Sequence, residues 1–309
     1  MRELSETFMK DLMNPEGVLH PILSSVKKDQ TLMLTIRDGF INIYYRGGNI
    51  LRATENKRGT YGGFFDQRFN KTGQEMPITP STMNNQNDAK EWVVALPILK
   101  SFMNEFLSKH SKNEREFQQL VARENNTSSI SNESDYFISD IEVYEAFSGA
   151  RFEMIAIKWP STKRQSGNNC RMAIIEMKYG YKALDGEAGL LKHLKDIDSL
   201  ITAKDRFAKL RVQTENQFNQ LDQLGLLKFN REQYEGKISL DPNVKPEVIF
   251  ILANYNPRAS GLKGILNSPK ITAYNEEQHF DLRFFVANYS GYGLYKDCML
   301  SLSEFSRLL

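Results

Sequence analysis

The feature that most constrains the fold of this chain is Arg171–Gly180, R-M-A-I-I-E-M-K-Y-G. An apolar run, Met172 to Ile175, passes directly into Glu176-Met177-Lys178. The run reads as a buried strand, and strand side chains alternate between faces. Glu176 and Lys178 therefore share a face with Met172 and Ile174. Opposite charges at the end of a buried strand are costly unless paired, hydrated or holding an ion. That cost makes them the first candidates for chemistry.

The flanking sequence gives them company. Glu-x-Lys also occurs at Glu55-Asn56-Lys57 and Glu235-Gly236-Lys237, but in polar contexts with no apolar strand before them. The preceding strand, R-F-E-M-I-A-I-K-W from Arg151 to Trp159, carries Glu153 on a face otherwise held by Ile155 and Ile157. An antiparallel pairing would bring Glu153 toward Glu176. One strand earlier, Tyr136 to Glu145, Asp140 and Glu142 share a face and offer further carboxylates. The plainer accounts are an ion pair of Glu176 with Lys178 at a sheet edge, pairing of Glu153 with Arg151 or Arg171, and a solvated strand face for Asp140 and Glu142. Magnesium takes oxygen ligands and typically uses one or two carboxylates with water and substrate phosphate. A metal so held, with a lysine beside it, suits hydrolysis of a phosphodiester.

Around this core the chain reads as α+β or mixed α/β, with a central mixed sheet flanked by helices. Short helices are expected near Leu4–Leu12 and Val18–Val26. A three-stranded meander follows, turned at Asp38-Gly39 and Gly47-Gly48, dipeptides that favour the positive φ of tight hairpins. Residues 55–87 are rich in Gly, Asn, Gln and Pro and read as an extended loop. From Asp88 helical spacing resumes, with Pro97 restarting the helix, and 113–124 forms another helix. Beyond the Glu176 strand, 186–201 and a second stretch through Leu224 are helical. E-V-I-F-I-L-A-N reads as a buried, parallel strand, a further strand begins at Asp281, and 298–309 closes the fold. The loop composition divides 1–87, N-terminal helices and meander, from 88–309, although one domain over 1–309 suits the length equally.

Composition sets limits on function. Over 309 residues the formal net charge is +2, which neither demands nor excludes a nucleic-acid partner. Local clustering matters more: Lys158, Lys163, Arg164 and Arg171 gather around the loop before the site, with Tyr179 and Tyr181 after it. Bases beside aromatics suit a phosphate backbone and a stacked base. Cys170 and Cys298 are the only cysteines and fit neither a disulfide framework nor a thiolate metal site. No apolar stretch approaches the roughly 20 residues that cross a bilayer, and the start of the chain lacks a signal peptide's apolar core. A cytoplasmic protein without membrane contact is expected. His193 can face the site from the following helix, although a partly exposed helical histidine is the simpler account, and Gly62-Gly63 reads as a turn.

The segment from Asn113 to Ile201, a helix, strands with Glu153 and then Glu176-Met177-Lys178, and another helix, resembles the core of the PD-(D/E)XK nuclease superfamily, the restriction-endonuclease-like fold. The resemblance implies Glu153 and Glu176 as metal ligands for Mg or Mn, Lys178 as the catalytic lysine and the Met177 carbonyl as a further ligand. It also implies a helical acid, for which Glu116 and Glu124 compete. Asp is usual where this chain has Glu153, so Asp140 stands as the alternative partner of Glu176. The implied activity is magnesium-dependent hydrolysis of nucleic acid, DNA first. The alternative is a catalytically inactive nuclease-fold protein that binds DNA or a protein partner.

Overall fold

The computed structural model describes residues 2–110, 113–128, 134–144, 151–180, 186, 189–229, 234–254, 260–275, 279–287 and 291–309. Helices combine with two open five-stranded sheets, so the mixed α and β character holds, while the strands are shared between two sheets rather than one. The chain divides into two compact units: Met1–Arg123 with Asn219–Leu227, and Glu124–Phe218 with Lys228–Leu309.

In the first unit α1 (Glu6–Met13) and α2 (His20–Lys28) precede β1 (Leu32–Ile36), β2 (Phe40–Tyr45), β3 (Gly48–Lys57), β4 (Thr60–Phe64) and β5 (Thr82–Met83). These strands pair antiparallel in chain order. Helix α3 (Gln86–Lys109) and the start of α4 (Asn113–Asn126) follow. The expected meander thus gains two strands from the stretch that reads as loop. Gly62-Gly63 lies inside β4 rather than at a turn, and glycine is needed at Gly63, where a Cβ would come within 2.4 Å of the Trp92 indole nitrogen. The second hairpin turns on Arg46-Gly47, at φ of 50° and 74°, and Gly48 opens β3 instead. Glycine is needed at Gly47, where a Cβ would meet the Arg115 carbonyl at 2.5 Å. Arg46 accepts the left-handed backbone and is held by Glu116 at 2.7 Å. Helix α3 runs unbroken through Pro97 instead of restarting there. The proline is exposed, while Trp92, Leu96, Leu99, Phe102 and Met103 anchor the helix on either side by burial, enough to offset one lost backbone hydrogen bond.

The second unit holds β6 (Tyr136–Tyr144), β7 (Arg151–Lys158), β8 (Arg171–Tyr179), α5 (Leu190–Thr202), most of α6 (Lys204–Gln223), β9 (Glu247–Ala253), α7 (Ser260–Leu266), α8 (Pro269–Thr272), β10 (Asp281–Val286) and α9 (Leu302–Leu308). The F-S-G-A connection between β6 and β7, Glu145 and Tyr181 lie outside the described residues. Strand order is β10-β9-β8-β7-β6. β6, β7 and β8 pair antiparallel, whereas β8, β9 and β10 run parallel. Every position of β9 is buried, as a parallel strand read from a continuous apolar run should be. Phe137, Trp159, Phe218 and Phe229 stack edge to face beside the sheet, Trp159 and Phe229 at 5.3 Å between centroids.

One edge of this sheet, where β8, β9 and β10 begin, is closed by charge. Glu247 is buried, and its carboxylate accepts from Tyr136 Oη at 2.6 Å, Lys158 Nζ at 2.8 Å and Arg171 Nη1 at 3.1 Å. Arg171 reaches across β9 to Asp281 as well. Burial raises the Tyr136 phenol far above its usual range, and the Glu247 charge adds to the effect. At Asp281 burial works upward too, but the hydrogen bond and charge of Arg171 outweigh it and hold the carboxyl below its ordinary value. A depressed folded pKa contributes stability that is present above the unfolded value, about pH 4, and is lost as pH falls through the folded one. Urea unfolding from about pH 5 to about pH 2 should therefore show the natural chain weakening more steeply than Asp281→Asn. Parallel profiles would show that the pairing contributes nothing.

Candidate active site

At the opposite end of β8 the sheet comes apart on one side. The ladder between β7 and β8 ends at Met154 and Ile175, so the next opposed residues are Glu153 and Glu176. β8 stays paired with β9 as far as Tyr179 and Ala253. The strands fork, and side chains take over from the ladder. Glu153 N–H donates to Glu176 Oε1 at 3.3 Å, and Met177 N–H donates to Glu153 Oε2. Each glutamate thus caps backbone of the other strand, which satisfies N–H groups that the fork would leave bare.

The two carboxylates share a cation. Lys178 Nζ lies 3.9 Å from Glu153 Oε1 and 3.9 Å from Glu176 Oε2. Two oxygens that far from one nitrogen are at most twice that distance apart. Glu176 is 0 % and Lys178 2 % exposed, with Glu153 at 14 %. The fourth member comes from α5: Nδ1 of His193 stands 2.8 Å from Glu176 Oε2. The contact misses hydrogen-bond alignment, so this buried oxygen has no hydrogen-bond donor. Formally, Glu153, Glu176 and Lys178 sum to one negative charge. Desolvation costs several kcal/mol per buried ion, and a Coulomb attraction near 4 Å returns about 4 kcal/mol at an effective dielectric of 20. Pairing and desolvation are comparable, and the excess carboxylate keeps capacity for another cation.

Strain accompanies the charge. Glu142 on β6 adopts φ of 52°, at the position that the β6–β7 register sets opposite Glu153. Left-handed backbone is rare for such a residue and gathers at functional sites. Asn254, just past β9, also takes a positive φ of 48°. The cluster therefore lies at the carboxyl ends of the parallel strands β8 and β9, the edge at which α/β sheets bind ligands.

The other sequence candidates are placed differently. Asp140 lies on the same face one row further in, opposite Ile155. Its Oδ1 accepts from Ile141 N–H at 2.8 Å and its Oδ2 from Gln217 at 2.9 Å, so its carboxylate turns to α6. Met177 is buried, and it is its N–H that meets Glu153. Glu116 belongs to Arg46. Glu124 sits in the last turn of α4, half-buried. Among the described residues no group of three or more His, Cys, Asp or Glu side chains is arranged to hold a metal ion. The protein donors on offer are two carboxylates.

The basic residues do not gather at the site. Lys158 and Arg171 belong to the Glu247 network, about 17 Å along the strand from Glu176 at ~3.3 Å per residue. Arg164 is 1 % exposed, donates to the carbonyls of Trp159 and Ser134, and lies over the rings of Phe137 and Phe229. Buried among aromatic rings, its guanidinium holds a loop to the core instead of meeting a phosphate. Lys163 is exposed, and Tyr179 is half-buried at the end of β8. Their sequence proximity to Glu176 misleads because β8 carries its charges at opposite ends.

His193, which the sequence allows to face the site from the following helix, is the histidine that the structure brings to Glu176. Its spacing held the signal: Leu190 and Ile197 stand three before and four after it, so it borders the buried stripe of α5. A stability measurement tests the cluster. Removing one partner of a buried ion group leaves an uncompensated charge and costs roughly 3–5 kcal/mol, whereas replacing all partners with neutral groups is far milder. Lys178→Met should thus destabilise the fold by that amount in urea unfolding, and Lys178→Met with Glu153→Gln and Glu176→Gln should recover most of it. Additive losses would rule out charge coupling.

Comparison of the chain with protein-family models, with curated proteins and with solved structures finds no match.

Proposed function

We propose that this protein is a metal-dependent nuclease that hydrolyses phosphodiester bonds of DNA, built on the PD-(D/E)XK plan with a restriction-endonuclease-like core. The observation that carries the reading is the convergence of Glu153, Glu176 and Lys178 at the β7–β8 fork, with one excess negative charge and a buried oxygen of Glu176 that has no donor. Glu153 and Glu176 would hold Mg or Mn, an ion that commonly completes its shell with water and substrate phosphate and needs no closed protein cage. Bound there, such an ion lowers the pKa of a coordinated water and neutralises charge developing on the phosphate. Lys178 donates to the attacking water or to the phosphoryl oxygens as they gain charge, and its desolvated ammonium acts more strongly than it would in water. The Met177 N–H keeps Glu153 aimed into the fork, and the Glu153 N–H does the same for Glu176.

A second reading, a nuclease fold that binds DNA or a protein without cutting, is favoured by one observation. Glu176 and Lys178 are almost wholly buried, and the bases Arg164 and Arg171 are committed away from the site. One experiment separates the two readings. Linear and supercoiled DNA and single-stranded RNA are incubated with the protein in Mg or Mn, beside Glu176→Ala and Lys178→Ala. Catalysis predicts cleavage that falls by about 100-fold or more in each variant. Intact substrates throughout, with DNA still retarded in a gel, would replace the enzyme with the binding protein.

A further inference from the structure

We propose that His193 is a positioning residue of the Glu153–Glu176 site, whose Nδ1 edge fixes the donor-free oxygen of Glu176 for a bound cation. The inference rests on the reading of that site as a cation site. Two nitrogens bracket Glu176 Oε2: Lys178 Nζ at 3.9 Å and His193 Nδ1 at 2.8 Å. The other oxygen, Oε1, is already tied to the backbone of Glu153. The carboxylate therefore has one anchored oxygen and one whose place is set by the imidazole.

The contact is built by the fold. α5 packs through Leu190, Leu194, Ile197, Leu200 and Ile201, and this buried stripe fixes the rotation of the helix. His193, on the border of the stripe, is 20 % exposed and is carried to the end of β8, where Glu176 points. A buried carboxylate oxygen without a donor is expensive. A ring nitrogen 2.8 Å from Oε2 limits where that oxygen can move. That combination leaves Oε2 fixed in place and still able to coordinate.

The test uses cation binding, not turnover. Mn is titrated calorimetrically into the full-length protein and into His193→Ala, His193→Asn, His193→Gln and Glu176→Ala, with urea unfolding of each. The Asn amide nitrogen falls where Nδ1 stands, whereas the Gln amide falls where Nε2 stands. Loss of a group that orients a ligand typically weakens metal binding by about 10–100-fold. His193→Ala and His193→Gln should show that loss at little change in unfolding free energy, and His193→Asn should restore most of the affinity. Natural affinity in His193→Ala would overturn the proposal, as would losses in all three His193 variants that track stability. If the natural protein itself binds no Mn, the cation site fails and the role of His193 fails with it.

Discussion

The fork between β7 and β8 is the constraint on which the rest of the candidate site depends. A backbone ladder that continued past Met154 and Ile175 would have no use for carboxylates at the next position. Once it stops, Glu153 and Glu176 become the acceptors for two stranded N–H groups. The same bonds hold both side chains in place, so backbone satisfaction and the placing of acids are one arrangement. Pairing to β9 continues on the far side of β8, which keeps the strand rigid while its β7 edge opens. Lys178 then sits within reach of both acids.

The two ends of β8 use similar residues to different effect. At its start Glu247 is surrounded by Tyr136, Lys158 and Arg171, all within 3.1 Å. Every charge there has a close donor, as a stabilising buried network requires. At its end the lysine stands 3.9 Å from each carboxylate, and one oxygen lacks a donor. Proteins break local rules of satisfaction mainly at functional sites. The contrast within one strand, with the left-handed Glu142 beside it, locates the site more sharply than the Glu-x-Lys motif alone.

Much of this was legible in the sequence, for physical reasons. Strands β6, β7, β8 and β9 were readable because period-2 alternation and continuous apolar runs report burial directly. The pairing of Glu153 with Glu176 followed from that alternation plus an antiparallel register. Asp140 shared the face but could not be excluded, because its partner Gln217 lies 77 positions away on another element. The basic residues misled for a related reason: adjacency along the chain says nothing about which end of a strand a side chain occupies. In the first unit, β4 was hidden because Gly62 and Gly63 carry no strand preference, and only the indole of Trp92 makes a missing Cβ necessary. Pro97 marked a helix restart that burial on both sides overrode.

The most direct measurement of the central claim is anomalous diffraction from crystals of the protein soaked in Mn. The account predicts a peak between the carboxylates of Glu153 and Glu176, within coordination distance of Glu176 Oε2 and absent from Glu176→Ala crystals. A fork with no peak in the natural protein, or the same peak retained in Glu176→Ala, would contradict it.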